Sequence, residues 1–201
     1  FSGPVTILEK DYHLSYPFVF RYQSGYYLVP ESYANRSIDL YKCTSFPDKW
    51  EYSYTIMDNI AAVDSTLLFY NNKFWLFCNA QENEGVTSLD ELYIFYSDDI
   101  TSTNWRPHAK NPVVSDVKKS RPAGKIFEYE GALYRPAQNS SKHYGRGLHI
   151  GKIITLTEEE YVEESVQYIF PNWQKNLSSV HTINHDGKIT VIDAQLKKSR
   201  F

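Results

Sequence analysis

Polar and charged side chains stand at two fixed points of a motif that occurs four times along the chain. Each copy runs through an apolar segment to a Gly or Asn turn and returns through a second apolar segment. The residues at the starts of the four copies are Tyr16, Asp64, Arg121 and His181. The residues at the ends are Glu31, Asn79, Gln138 and Asp193. Core packing does not explain polar residues at the same point of every copy, so they predict a shared binding pocket.

The carboxylates and the histidine of this set have the residue types of acid–base chemistry. Asp64 and Glu31 offer two carboxyl groups, a residue type that serves as general acid or general base. A histidine changes its charge near neutral pH, which suits His181 to proton transfer. If the pocket catalyses a reaction, the predicted catalytic residues are therefore Asp64, Glu31 and His181.

The many aromatic side chains near these polar residues suit a sugar, whose ring stacks on apolar faces and whose hydroxyls form hydrogen bonds. The guanidinium of Arg121 suits a phosphate or carboxylate group, which it can bind through paired hydrogen bonds. Tyr144 lies in a Gly-containing turn, 140–147, that could cover the pocket. The predicted substrate-binding residues are Tyr16, Asn79, Arg121, Arg135, Gln138 and Tyr144. No cofactor is predicted, and no metal site either, because His143 and His149 lack a second pair of ligands at metal spacing.

Several of these side chains also have a purely structural interpretation. Asp64 could cap a strand turn, with Arg121 serving only as its salt-bridge partner. His181 could be a hydrogen-bonded core histidine, Tyr16 could be ordinary packing, and Asp193 could stabilise a turn. The residues alone leave these alternatives open.

Short strands are the elements that must position these residues. The copies recur about every 50–60 residues, and strand repeats of roughly this length are typical of β-propellers. Three copies continue into further strand-like segments, whereas the fourth is a hairpin alone. We therefore predict an all-β propeller with about four blade units, together with a strand at 4–10 and a helical turn at 157–160. We expect residues 1–201 to form a single domain in which either a blade is missing N-terminally or the ring closes compactly.

Composition narrows the possible partners. The formal net charge of −3 argues against non-specific nucleic-acid binding, because phosphate backbones require a basic surface. No run of about 18 apolar residues occurs, so no membrane span is predicted. The 17 Tyr and 11 Phe residues favour strands.

Several segments resemble a known family. They are HLSYPFVF, DLYKCTSFPDKW, SRPAG and ALYRPAQN. These segments are similar to the propeller domain at the N-terminus of plant glucosamine inositolphosphorylceramide transferases and related bacterial proteins. The resemblance runs through nearly the whole chain. That domain in turn resembles the five-bladed propellers of glycoside hydrolase families 43, 32 and 68, which implies a five-bladed-type ring here.

The resemblance also bears on catalysis. The hydrolases place three carboxylates at blade starts: a base, an acid and a modulator of the acid's pKa. Only Asp64 matches, at the position of the modulator, while Arg121 stands in the place of the acid. The base would belong to the blade that is expected upstream. A cation at the position of the proton donor is incompatible with that hydrolytic mechanism.

These considerations favour a propeller that binds a carbohydrate, sugar nucleotide or sugar phosphate in its axial pocket. It would act in glycan or glycoconjugate assembly as part of a longer protein, with a degenerate glycosidase-type site. Two alternatives remain. One is an active glycoside hydrolase of the furanosidase type that uses Asp64 and Glu31. The other is a non-catalytic scaffold for a neighbouring transferase domain.

Overall fold

A computed structural model describes residues 3–81 and 90–197 of the chain. Within these residues nearly all regular structure is antiparallel β-sheet. The strands form three sheets of four or five strands and two small sheets of two strands each. This arrangement confirms the predicted all-β propeller with about four blade units.

The first sheet is a four-stranded antiparallel meander, and a short 3₁₀ helix at Tyr33–Asn35 links its second and third strands. The strands are β1 (Ser15–Tyr22), β2 (Gly25–Glu31), β3 (Ser37–Ser45) and β4 (Lys49–Asp58). The neighbours along the chain are also the neighbours in the sheet, as in a propeller blade.

The second sheet repeats the order, and two short outer strands both pair with its third strand. Its strands are β5 (Ala62–Tyr70), β6 (Lys73–Ala80), β7 (Glu91–Ser97), β8 (Arg106–Pro107) and β9 (Val114–Ser115). The third sheet is again a meander of four. Its strands are β10 (Phe127–Tyr129), β11 (Ala132–Asn139), β12 (Gly147–Leu156) and β13 (Tyr161–Ile169).

The fourth unit is small. It contains β14 (Leu177–Ser179), β15 (Ile183–His185), β16 (Thr190–Ile192) and β17 (Gln195–Leu196). Strands β15 and β16 form the predicted hairpin, while β14 pairs with β17 around it.

The hydrophobic core lies between successive sheets. Strand β6 shows this most clearly, because alternate side chains of a strand point to opposite faces. Phe74, Leu76 and Cys78 join the cluster shared with the first sheet. Trp75 and Phe77 join the cluster shared with the third sheet. Both faces of β6 are therefore buried, which explains why its sequence is an uninterrupted apolar run rather than an alternating one.

The first and last units each leave apolar side chains uncovered. Val19 of β1 is 43% exposed, and Ile189 and Val191 of the last hairpin are each 63% exposed. All three line the same open cavity. Apolar side chains exposed in this way are what an absent blade would leave uncovered. The expectation of a further blade stays a prediction.

Two local predictions were wrong. Residues 4–10 form no strand, because their backbone does not pair with a neighbouring strand. The segment contacts the first sheet through a side chain instead: the Lys10 ammonium lies 5.8 Å from the ring centroid of Tyr41. Residues 157–160 form no helical turn. The Thr157 backbone N–H donates to the Glu160 carbonyl at 2.9 Å, and the Glu160 N–H donates to Thr157 Oγ1 at 2.9 Å. These bonds close a tight turn that returns the chain from β12 to β13.

Candidate functional site

A β-bulge at the start of the inner strand of each of the first two sheets orients Tyr16 and Asp64. Register shifts in the β1–β2 and β5–β6 ladders place an extra residue at the start of each inner strand, between Ser15 and Phe18 and between Val63 and Thr66. Tyr16 and Asp64 lie in these bulges with φ of 40° and 54°. Positive φ is costly for residues other than glycine and persists only where the surrounding structure enforces it. The same device in two blades therefore turns one side chain of each toward the axis.

Tyr16 joins three of the blades. Its hydroxyl lies 2.9 Å from Thr66 Oγ1 in the second sheet. It also lies near the backbone of Gly124, just before β10. Burial and the nearby charge of Asp64 raise the pKa of the Tyr16 phenol well above its ordinary value, so it remains neutral. Tyr16 therefore acts as a neutral hydrogen-bonding group at the axis.

Asp64 forms the centre of a buried polar cluster. Arg121 Nε donates to Asp64 Oδ2 at 2.5 Å, and Gln138 Nε2 donates to the same oxygen at 2.8 Å. Gln138 Nε2 also donates to the Pro122 carbonyl at 3.0 Å. Both partners of that amide nitrogen are acceptors, which fixes the orientation of the amide and leaves Gln138 Oε1 buried without a hydrogen-bond partner among the described residues.

Burial disfavours the ionised form of the Asp64 carboxyl. Burial raises its pKa to about 6, and the neighbouring Glu31 carboxyl adds to the rise through its charge and a hydrogen bond. Arg121 works in the opposite direction but does not cancel the effect of burial. Glu31 also accepts the Asp64 backbone N–H at 3.2 Å. Glu31 therefore contacts the backbone N–H of Asp64 and is not among the residues that line the cavity.

The remaining axial groups come from the third and fourth units. The Arg121 guanidinium carbon lies 5.5 Å from the ring centroid of Tyr144, a distance suited to cation–π attraction. The Tyr144 ring meets the His181 ring edge-on at 5.3 Å. His181 Nδ1 contacts a carboxylate oxygen of Asp193. The groups from Asp64 to Asp193 are thus a continuous series of contacts.

These groups line a cavity of about 750 Å³. The structure brings together in its wall six of the nine predicted site residues: Tyr16, Asp64, Arg121, Gln138, Tyr144 and His181. It also contains Asp193, which the repeats placed at the end of the fourth copy. Glu31, Asn79 and Arg135 are outside the cavity lining.

Asn79 and Arg135 are enclosed in the protein interior. Asn79 is fully buried, and its amide has no hydrogen-bond partner among the described residues. Arg135 is 1% exposed and forms two hydrogen bonds to the Glu163 carboxylate, at 2.6 and 3.0 Å. Gly151 makes room for this pair, because a Cβ there would lie 2.2 Å from Glu163 Cδ. The Arg135 charge is therefore satisfied internally.

Sequence reasoning missed several cavity residues. The additional polar lining comes from Ser15, Lys125, Thr182, Asn184, His185 and Asp186. Four of these belong to the last hairpin or the residues just before it, which the repeat pattern identified only as a half unit. Lys125 could have been noticed, since it is a lysine inside an otherwise strand-like run, four residues after Arg121.

Two features are absent from the part of the chain that the structure describes. No group of three or more His, Cys, Asp or Glu side chains in 3–81 and 90–197 is arranged to hold a metal ion. No helix in the same part of the chain is long and apolar enough to cross a membrane.

The sheet order and the axial cavity define the class of fold. Solved structures with the same fold include a thermostable family-43 glycoside hydrolase, at 17% identity and a TM-score of 0.59, covering 81% of this chain and 55% of that one. The arabinanase Arb43A of Bacillus subtilis matches at 14% identity and a TM-score of 0.60, covering 94% of this chain and 67% of that one. The chain is therefore a β-propeller of the five-bladed type.

Sequence comparison identifies the family. The model for the N-terminal region of glucosamine inositolphosphorylceramide transferase 1 matches residues 4–196. The chain is 38% identical to the transferase of this name from Oryza sativa subsp. japonica over 161 residues, which are 79% of this chain and 21% of the relative. It is 33% identical to that from Arabidopsis thaliana over 174 residues, 86% of this chain and 22% of the relative. The chain belongs to this N-terminal domain family and spans about a fifth of the length of these curated relatives.

Proposed function

We propose that this domain binds a phosphorylated carbohydrate in its axial cavity and contributes that binding to glycoconjugate assembly. The observation that carries the proposal is the buried contact between Arg121 and Asp64. It puts a guanidinium in the wall of the cavity, held on one edge through Nε at 2.5 Å. The terminal nitrogens of Arg121 make no hydrogen bond to the described residues, so they are available to an anionic group.

Other cavity groups support a ligand that is both anionic and hydroxylated. Lys125 adds a second cation to the lining, and the exposed ring of Tyr144 offers an apolar face of the kind on which sugar rings stack. The Gln138 amide, whose nitrogen donates to Asp64 and to the Pro122 carbonyl, adds a further polar side chain to the lining.

The same contact speaks against hydrolysis by the furanosidase mechanism. A general acid must hold a proton and deliver it to the leaving oxygen. Asp64 Oδ2 is instead occupied by Arg121 and Gln138 donors. Arg121 itself remains charged, because its pKa is raised by Asp64 in spite of burial. We therefore propose that the glycosidase-type site is degenerate.

Calorimetric titration tests the proposal. The relatives are named for glucosamine and inositolphosphorylceramide, so myo-inositol 1-phosphate and glucosamine are suitable ligands. A sugar nucleotide is the third ligand, because the sequence favours that class as well. We expect a phosphorylated ligand to bind, and Arg121→Gln to weaken it at least tenfold. Arg106→Gln is the matched control, since Arg106 pairs with Asp98 outside the cavity. Absence of binding by every phosphorylated ligand would overturn the proposal.

An active glycosidase is the second candidate, and the electrostatics of Asp64 favour it. A carboxyl whose pKa is about 6, beside a second carboxyl from Glu31, has the character of a general acid. The test is release of reducing sugar from arabinan, xylan or fructan. Activity that Asp64→Asn abolishes would establish the hydrolase and refute the degenerate site.

A scaffolding role is the third candidate. The matched region is about a fifth of each curated relative, so a domain of this family can contact other domains of a longer chain. Deletion of the domain from a full-length relative would then abolish transferase activity, while no ligand is detected by calorimetry.

A further inference from the structure

A histidine and an aspartate form a fixed pair in the wall of the axial cavity. Asp193 Oδ1 accepts two backbone N–H groups, from His181 at 2.9 Å and from Thr182 at 2.7 Å. The other carboxylate oxygen, Oδ2, contacts His181 Nδ1. Burial raises the pKa of Asp193, but the two N–H donors and His181 outweigh it and hold the pKa below its ordinary value. The carboxylate therefore stays ionised and stationary.

This arrangement decides which imidazole nitrogen carries the proton. An ionised carboxylate accepts hydrogen bonds and cannot donate one, so the proton lies on His181 Nδ1. In the neutral ring the lone pair is then on Nε2, which has no hydrogen-bond partner among the described residues. The edge-on contact with the Tyr144 ring further limits rotation of the imidazole. His181 is thus an oriented acceptor, with 36% of its side chain exposed in the cavity wall.

The acceptor and the cation both contact one aromatic ring, that of Tyr144. Arg121 approaches the face of Tyr144 at 5.5 Å, and His181 approaches it edge-on at 5.3 Å. A ligand that contacts both must carry an anionic group and, within a few bonds of it, a hydroxyl. A polyol monophosphate has this pattern, whereas inorganic phosphate lacks the separate hydroxyl.

We infer that His181, oriented by Asp193, is a subsite that accepts the proton of a ligand hydroxyl in a hydrogen bond, beside an anion-binding subsite at Arg121. The inference rests on the proposed function. It assigns the ligand to the class of hydroxylated phosphate monoesters or diesters, and it makes Asp193 a positioning residue for His181.

Asp193→Asn is the decisive variant. The carboxamide oxygen of the new side chain would keep the two backbone N–H bonds, while its NH₂ group would face His181 Nδ1. An NH₂ donor there moves the imidazole proton to Nε2 and turns the acceptor into a donor. We expect the affinity for myo-inositol 1-phosphate to fall about tenfold, from the loss of one hydrogen bond to a mismatched site. The affinity for inorganic phosphate should change less than about twofold.

Imidazole ¹⁵N chemical shifts show which ring nitrogen of His181 carries the proton. They would not change if Asp193 only stabilised the fold. The wild type should carry its proton on Nδ1 and Asp193→Asn on Nε2, whereas Asp58→Asn, outside the cavity, should change neither shifts nor affinity. A wild-type proton on Nε2 overturns the inference, as does unchanged or equally weakened binding of both ligands in Asp193→Asn. If that variant does not fold, His181→Phe supplies the binding comparison of the two ligands, because it removes the acceptor and keeps the backbone donors to Asp193.

The two proposals fail in different ways. If wild-type protein binds no phosphorylated ligand, the proposed function is overturned and this subsite with it. If wild type binds myo-inositol 1-phosphate and Arg121→Gln weakens it, but Asp193→Asn binds as wild type does, only the subsite is overturned.

Discussion

Replacement of Arg121 with Gln should destabilise the protein in a pH-dependent way. The perturbation removes the cation paired with Asp64, whose side chain is 4% exposed, while that of Arg121 is 13% exposed. Loss of one partner from a buried pair typically costs about 3–5 kcal/mol, because the remaining charge is uncompensated. Protonation of Asp64 limits this cost, since a neutral carboxyl needs no counter-charge.

The direction in which stability changes with pH follows from the pKa of Asp64. Its folded-state value is about 6, above the ordinary 3.8, so ionised Asp64 lowers stability. In wild type that cost develops as pH rises from about 4 to about 6 and amounts to about 3 kcal/mol, from roughly two pKa units. Without Arg121 the folded-state pKa moves higher, so stability continues to fall above pH 6. We expect Arg121→Gln to cost about 3 kcal/mol at pH 8 and about 1 kcal/mol at pH 5.

Urea unfolding followed by tryptophan fluorescence at pH 5 and pH 8 measures both values. Arg106→Gln is the control, because Arg106 and its partner Asp98 are 48% and 66% exposed. Exposed pairs contribute little, so the midpoint of that variant should stay close to wild type at both pH values. An Arg121→Gln cost that is equal at pH 5 and pH 8, or no larger than that of the control, would refute the electrostatic account.

Two further substitutions test the packing behind the site. Gly151→Ala should destabilise the protein by at least about 2 kcal/mol, because the new Cβ would lie 2.2 Å from Glu163 Cδ. Thermal unfolding measures this loss. Gly3→Ala is the control and should leave the midpoint unchanged, because a Cβ at Gly3 would have nothing within 4 Å. Tyr16→Phe should cost about 1 kcal/mol through loss of the 2.9 Å hydrogen bond to Thr66; a variant as stable as wild type in urea would show that the ring alone holds this position.

The sequence predicted the blades well because a strand hairpin is a local structure. The apolar runs and the Gly and Asn turns lie within a few residues of one another, and β12 and β16 occur where the pattern indicates. The predictions failed where a local signal depended on its neighbours. A Thr followed by glutamates can begin a helix or close a hairpin. At Thr157 the pairing of β12 with β13 decided in favour of the hairpin.

The convergence of the blade-start side chains on one cavity was predicted for the same reason. Equivalent points of a repeat must converge on the axis, which identified Tyr16, Asp64, Arg121 and His181 together. Arg135 shows the limit of that reasoning. It lies three residues before Gln138, and alternate strand residues face opposite sides. The two side chains therefore point to different faces of β11, and only Gln138 reaches the cavity.

The repeat, the order of the strands and the polar residues at the blade starts can be read from the sequence, since each depends on residues close together in the chain. Which of these residues pair with each other depends on the folded arrangement. Arg121 and Asp64 are 57 residues apart, and Arg135 and Glu163 are 28 residues apart. Arg121 and Asp64 belong to neighbouring blades, so they meet only because the blades pack against each other. Arg135 and Glu163 lie on β11 and β13 of one sheet, so the order of strands within that sheet brings them together. The result is that Arg135 is enclosed in an internal ion pair, while Arg121 and His181 line the cavity.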